Sequence, residues 1–375
     1  MNGVKARIAR ALLLLMVTSS IAAAQDPTPG TDLPTDARST GSTKNSGVIV
    51  IPVVGAGPTF GLGGGAVPAY VFRMDSTSPR SAVAVGGLLA ERSSWLVSVG
   101  GRLDFQRDNW HTLFGYARYD VHYPFFGVGN AAGDANQSVI LQQDGNAGMI
   151  EGLHRVVGPL YLGVRYRFDD VSIGLDRGDH VTPFGSFMRT DSSVSTTALG
   201  IAGAYDSRDD EMSPRHGTFA QGTAMYARTW LGGDRAINSY EAWFNQYVPV
   251  KQNAVLALRA SVCDAGNEAP VWQLCTFGAR NDLRGYTVGR YRDHALFAVQ
   301  GEYRVSLAGR FGFSVFAGTG EVAPSWSGIT TSNLLVSGGP GVRYLVSRSH
   351  RLNFGADYAF ASHGGAYYFR IGEAY

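Results

Sequence analysis

The chain has 375 residues, of which 17% are charged, with 49 glycines and a formal net charge of +2. A balance this near neutral, with no concentrated basic patch, excludes the electrostatic footprint of a nucleic-acid binder. Mean hydropathy is close to zero, and no segment approaches the ~20 consecutive apolar residues of a membrane helix. An exported soluble protein and a β-barrel with a polar interior remain.

Residues 1–24 read as a secretory signal peptide. Lys5, Arg7 and Arg10 supply positive charge, Ala11 to Val17 is a short apolar run, and Ala22, Ala23 and Ala24 form a small-residue cleavage site before Gln25. Residues 25–46, rich in Pro, Thr, Ser, Gly and Asp, read as a flexible periplasmic lead, too short for a domain of ~50 residues. From 47 to 375 the chain reads as strand and turn. Sixteen strands are predicted: 48–55, 59–74, 79–91, 94–106, 109–124, 136–157, 159–176, 191–206, 215–230, 236–249, 253–263, 294–308, 310–318, 333–347, 350–361 and 364–375.

The evidence for them is a period of two. Trp95, Val97, Val99, Leu103 and Phe105 share one face; Ser98, Arg102 and Asp104 share the other. Leu162, Val164, Tyr166 and Phe168 oppose Arg165, Arg167 and Asp169. Successive strand side chains point to opposite sides of a sheet, so each stretch has an apolar and a polar face. An even strand count puts both ends on the periplasmic side, and connections alternate between short and long, as in an outer-membrane barrel. The expected fold is therefore all-β, a 16-stranded antiparallel transmembrane β-barrel in the bacterial outer membrane, in contact with its lipid.

The first strand carries Pro52 beside Val53 and lacks alternation, and Pro52 cannot donate a ladder hydrogen bond. The last strand starts at Gly364 and Gly365, a predicted bend. A weak seam between the two strands, with Phe369 on the closing strand, is expected. Tyr367, Phe369, Ile371 and Tyr375 share a face. With Gly372 they form the type of C-terminal strand read by the machinery that inserts outer-membrane barrels. Glu373 is expected near the periplasmic rim, where a charge costs little compared with the midplane.

Cys263 and Cys275, the two cysteines, lie in one outer region of an exported protein, and a disulfide is expected. Zinc wants four ligands and only His294 is near in sequence, so no metal is expected. Gly61, Gly63, Gly64 and Gly65 lack the Lys-Ser/Thr and helix of a phosphate loop. The acids around Asp169, Asp170, Asp176 and Asp179 lack the spacing of a calcium loop. The eight histidines are scattered without a Ser-His or Asp-His pattern. Neither catalysis nor a cofactor is expected.

The longest loop, Asp264 to Asp293, contains Leu283-Arg284-Gly285-Tyr286 after the predicted eleventh strand. Here the sequence resembles the bacterial surface antigen family of BamA/TamA-like outer-membrane assembly barrels, which carry a V/I/L-R-G-F/Y tetrad in that loop. Three further segments occur in order: Tyr123-Pro124-Phe125-Phe126-Gly127-Val128-Gly129-Asn130; Asp206-Ser207-Arg208-Asp209 with Pro214 to Phe219; and Glu302-Tyr303-Arg304. The resemblance covers 47 to 375. It implies that the loop tucks into the lumen and that Arg284 docks on the inner wall. Alternation supports a partner there. Phe297, Val299, Tyr303 and Val305 share the outer face, so Gln300, Glu302 and Arg304 face inward, and Glu302 can offer Arg284 a bidentate carboxylate. Gly285 would permit the tight backbone and Tyr286 would cover the pair. Two departures stand out. Gly318 occupies the place of an Asp in the family's thirteenth strand, and the chain is read as a short member lacking periplasmic POTRA-type domains.

The resemblance implies insertion or translocation of protein at the outer membrane, with a client protein or a periplasmic partner, through the seam between strands 1 and 16. The alternatives are a passive or gated channel plugged by the Arg284 loop, and a structural surface antigen without a transport role.

Overall fold

The computed structural model describes residues 46–57, 61–175, 192–211, 213–278, 282–307, 309–330, 332–347, 351–362 and 364–375. The signal peptide, nearly all of the lead, and Asp176 and Asp179 lie outside them. The strands are β1 (Gly47–Gly57), β2 (Gly61–Phe72), β3 (Ser81–Ala90), β4 (Trp95–Phe105), β5 (Trp110–Phe125), β6 (Val139–Val157), β7 (Leu160–Leu175), β8 (Ser192–Asp206), β9 (Gly217–Ala227), β10 (Ile237–Lys251), β11 (Ala254–Asp264), β12 (Cys275–Thr276), β13 (Arg292–Asp293), β14 (Ala295–Ser306), β15 (Phe311–Ala323), β16 (Leu335–Ser347), β17 (Leu352–Ala361) and β18 (Gly364–Ile371). One 16-stranded sheet takes all but β12 and β13 in sequence order; those two pair separately. One short helix, α1 (Asn130–Ala135), lies in the connection after β5.

The strands pack as two units. The first holds the described residues up to Pro124 with Val139–Ala202 and Ala227–Ala236; the second holds Phe125–Ser138, Gly203–Tyr226 and Ile237–Tyr375. In the first, burial alternates as the side-chain period demands. Val97, Val99, Ile150, Leu162 and Val164 are exposed, whereas Asp104, Ala147, Met149, Glu151, Arg165 and Asp169 are buried. An apolar face open to water over so many adjacent strands would be an aggregation liability, and in a bilayer it meets hydrocarbon. The polar face satisfies itself: Arg165 Nε donates to Glu151 Oε2 at 2.8 Å, and Tyr123 Oη donates to Gln143 Oε1 at 2.8 Å.

The second unit has the same two faces. Val299, Phe313, Val315, Val342, Phe360 and Tyr367 are exposed, and Gln300, Glu302, Arg343, Asp357 and Arg370 are buried. A small apolar core of Leu274, Phe277, Leu283, Tyr286, Tyr291 and Val322 sits under the long loop after β11.

Four expectations change. The first strand is not irregular: β1 pairs with β2 without a register shift from Gly47 to Gly57, Pro52 lying opposite Ala66. One missing N–H therefore does not end the ladder. β15 runs five residues past the predicted end at 318, because Gly320 and Val322 continue the ladder with Ala298 and Leu296. The connection after β5 is not plain loop, since it holds α1. The last strand stops at Ile371, and Gly372, at φ +82°, turns the chain away. Tyr375 is then buried with Tyr247, Val255, Ala257 and Ala374, so it does not share the exposed face of Tyr367 and Phe369. A left-handed φ at Gly372 breaks the alternation that placed it there.

Candidate functional site: a docked loop arginine

The loop after β11 is held at both ends. Cys263 and Cys275 are joined by a disulfide with their Cα atoms 5.8 Å apart. Beyond it, Cys275 pairs with Asp293 and Thr276 with Arg292, and the Phe277 N–H donates to the Tyr291 carbonyl at 2.9 Å. From outside this ladder α1 bears on the loop. Tyr291 Oη donates to Asp134 Oδ1 at 2.9 Å, Arg290 Nε to the Gly133 carbonyl at 2.9 Å, and Asn130 Nδ2 to the Val322 carbonyl at 2.8 Å. A side chain at Gly133 would lie 2.5 Å from the Tyr291 ring, which explains a glycine inside so short a helix.

Folded back in this way, the loop lays its tetrad on the inner face of the sheet. The Arg284 side chain is fully buried. Its Nη2 lies 2.6 Å from Glu302 Oε2 on β14, a buried charge pair. Nη1 donates to Asp357 Oδ2 on β17 at 2.9 Å and Nε to Gln300 Oε1 at 2.8 Å. Gln300 returns a bond from Nε2 to the Asp282 carbonyl at 3.0 Å, so one amide clamps the loop on both sides of Leu283. The Phe316 ring of β15 lies 3.5 Å beneath the guanidinium carbon. Glu302 thus takes one nitrogen rather than two, because Asp357 takes the other.

The remaining tetrad residues divide the labour. Gly285 has φ +105°, a region that L side chains avoid, and its N–H donates to Tyr368 Oη on β18 at 2.8 Å. Leu283 is buried against Gly318, where a Cβ would lie 2.8 Å from Leu283 Cδ1 and 2.5 Å from Gln300 Cγ. The absence of a side chain at 318 is therefore filled by leucine, and β17 supplies the second carboxylate. Tyr286 does not cover the ion pair. It points into the loop core, its Oη donating to the Val336 carbonyl at 2.8 Å and its ring meeting Tyr291 edge-on at 5.5 Å. Phe316 covers the arginine instead.

Around Arg284 the charges form one network. Arg343 reaches Glu302 at 2.9 Å, Asp357 at 2.5 Å and Glu373 at 2.8 Å. Arg304 reaches Glu302 at 3.0 Å and Glu373 at 3.6 Å, and Arg370 reaches Asp357 at 3.1 Å. Sequence reasoning did not single out Arg343, Asp357, Arg370, Phe316 or Tyr368 for the site. For the three charged residues the available signal was a charge at an inward position of an alternating strand. Pro52, Val53, Gly364 and Gly365 take no part in it. Glu373 lies on the inner face, where it pairs with Arg343 and Arg304.

In the same unit, the connection from β8 to β9 is tied by a set of ion pairs and hydrogen bonds. Arg208 is chelated by Asp206 at 2.9 and 2.7 Å and lies 4.3 Å over the Phe219 ring. Asp209 accepts the N–H groups of Arg215 and His216 and pairs with Arg351 at 2.8 Å. Burial would raise the Asp209 carboxyl, but these donors outweigh it and hold it below the usual range. Among the described residues, one group of three has metal-ligand chemistry: Asp104, Asp108 and His111, in the first unit. Arg102 pairs with Asp104 and Arg155 with Asp108, so a cation there would have to displace guanidinium groups.

An outward apolar sheet face, an inward charged one and a loop arginine docked on the latter define an outer-membrane barrel with an internally anchored loop. The Omp85 superfamily domain model matches residues 97–374, and the chain belongs to that superfamily. Its fold is similar to that of BamA from Haemophilus ducreyi lacking POTRA domains 1–3 (TM-score 0.57, 15% identity, 87% of this chain and 69% of that one). It is also similar to CdiB from Acinetobacter baumannii (TM-score 0.55, 14% identity, 88% of this chain and 60% of that one). The chain thus spans about three fifths of that CdiB chain. No curated protein sequence matches it significantly. The protein is a 16-stranded β-barrel of the bacterial outer membrane.

Proposed function

We propose that this barrel assists insertion or translocation of protein at the outer membrane, by pairing a client strand with the strands at the two ends of its sheet. Superfamily membership supports the general class. The observation that carries the finer reading is the construction of β18. It is the shortest strand of the sheet, eight residues, and its inner face holds the docked loop through Tyr368. A terminal strand offers unpaired N–H and C=O groups that can template an incoming strand by β-augmentation. The docked arginine fixes the loop so that this strand is presented in one register.

The test is a disulfide lock between the terminal strands. Val53 is buried and Phe369 exposed, so cysteines are better placed at outward positions: Val48 or Val50 on β1 and Tyr367 or Phe369 on β18. In proteoliposomes offered a urea-unfolded eight-stranded outer-membrane barrel, the locked protein is expected to lose client folding, and reduction of the lock to restore it. Full folding activity in the locked state refutes the seam. The rival reading, a channel plugged by the docked loop, expects Arg284→Ala to raise ion conductance and the lock to leave conductance unchanged.

A further inference from the structure

Past Ile371 the chain makes one more ladder bond to β17 and then contacts on the inner face. Gly372 donates its N–H to the Asn353 carbonyl at 2.9 Å and, in a left-handed conformation, turns the next residues to the inner face. Glu373 then accepts from Arg343 Nε at 2.8 Å and from Asn353 Nδ2 at 2.9 Å. The main-chain oxygen of Tyr375 accepts from Arg304 Nη2 at 2.8 Å. The Tyr375 ring sits among three guanidinium groups, with Arg304 at 5.5 Å and Arg284 and Arg259 each at 5.8 Å from its centroid. Its hydroxyl, although buried, has no hydrogen-bond partner among the described residues. The ring, not the hydroxyl, makes the contact, as cation–π attraction requires.

We infer that Glu373 and Tyr375 are positioning residues for Arg284: the segment after β18 is a latch that holds the loop tetrad docked, and the docked tetrad in turn holds β18. The Arg284 guanidinium lies 5.8 Å from the Tyr375 ring centroid, within cation–π range. It also shares Glu302 with Arg304 and Arg343, the two cations that Glu373 engages, while Gly285 rests on Tyr368 of the same strand. Two elements that each stabilise the bound position of the other are coupled reciprocally, by thermodynamic necessity. If a client strand displaces β18, a consequence that rests on the proposed insertion reading, the loop is freed at the same moment. The coupling itself can be measured without any client.

The measurement is tryptic cleavage at the Arg284–Gly285 bond in lipid nanodiscs, read by mass spectrometry and normalised to cleavage after Arg92 on an exposed turn. Arg284 is shielded while docked. Tyr375→Ala and Glu373→Gln are expected to raise normalised cleavage about tenfold, the size of a typical coupling. Tyr375→Phe should cleave as the unaltered protein does, because it keeps the ring. In the reverse direction, Arg284→Lys should speed deuterium uptake at residues 366–371 and leave β4 to β7 unchanged. Uptake rising in β4 to β7 as well would mean general destabilisation and would overturn the latch. So would unaltered cleavage in both Tyr375→Ala and Glu373→Gln, or equal cleavage in Tyr375→Phe and Tyr375→Ala. Failure of client folding with the coupling intact would count against the insertion reading alone.

Discussion

Removing Glu302 should damage the protein more than removing Arg284, although Arg284 belongs to the tetrad. The ion pairs around the dock join four guanidinium groups (Arg284, Arg304, Arg343 and Arg370) to three carboxylates (Glu302, Asp357 and Glu373). Glu302→Gln leaves four cations facing two anions. It strips a partner from Arg284 at 2.6 Å, Arg304 at 3.0 Å and Arg343 at 2.9 Å together. Uncompensated buried charge of this sort costs about 3–5 kcal/mol. Arg284→Met leaves three cations facing three anions, because Glu302 keeps Arg304 and Arg343 and Asp357 keeps Arg343 and Arg370. It loses the hydrogen bonds to Gln300 Oε1 at 2.8 Å and Asp357 Oδ2 at 2.9 Å and the Glu302 pair, but it leaves each carboxylate with a cation, and the methionine retains contact with the Phe316 ring. A cost of about 1–3 kcal/mol is expected. Guanidinium unfolding from lipid bilayers, followed by tryptophan fluorescence, measures both. An Arg284→Met cost equal to or above that of Glu302→Gln would refute the charge-balance argument.

Val164 is exposed on the apolar face, so Val164→Arg should cost about 2–4 kcal/mol near the bilayer midplane, whereas Ser98→Ala, on the opposite face of its strand, should cost under about 1 kcal/mol; the same bilayer unfolding assay compares them. Alkylation of native, unreduced protein followed by mass spectrometry should find Cys263 and Cys275 unlabelled; reduction should speed deuterium exchange in the loop between Asp264 and Asp293. The Asp209 carboxyl is held below its ordinary value of 3.8. Its turn is therefore fully stabilised above that pH and loosens as the pH falls through the depressed folded value. Hydrogen exchange in residues 207–216 should show this acid loosening, and Asp209→Asn should abolish its pH dependence while exchanging faster at neutral pH.

Much of the architecture was legible because a strand repeats every two residues. The inward orientation of Gln300, Glu302 and Arg304 follows from that period, as does the exposed face of Val97, Val164 and Phe360. The position of the tetrad in the loop after β11 was equally open to reading. Periodicity could not give relative height. Alternation tells which face a residue occupies, but not which residues of non-neighbouring strands stand level once the strands are staggered. Asp357, 73 residues from Arg284 in sequence, was visibly inward, yet only the assembled second unit brings it level with Glu302. The same limit hid Phe316 and Tyr368. Chain direction after Gly372 was beyond sequence for a different reason. Glycine adopts left-handed and extended backbone with similar ease, so alternation could not continue through it, and the tertiary charge network decided that Tyr375 turns inward. Local side-chain period determined the wall of this protein; long-range electrostatics and packing on its inner face determined where the loop and the last residues rest.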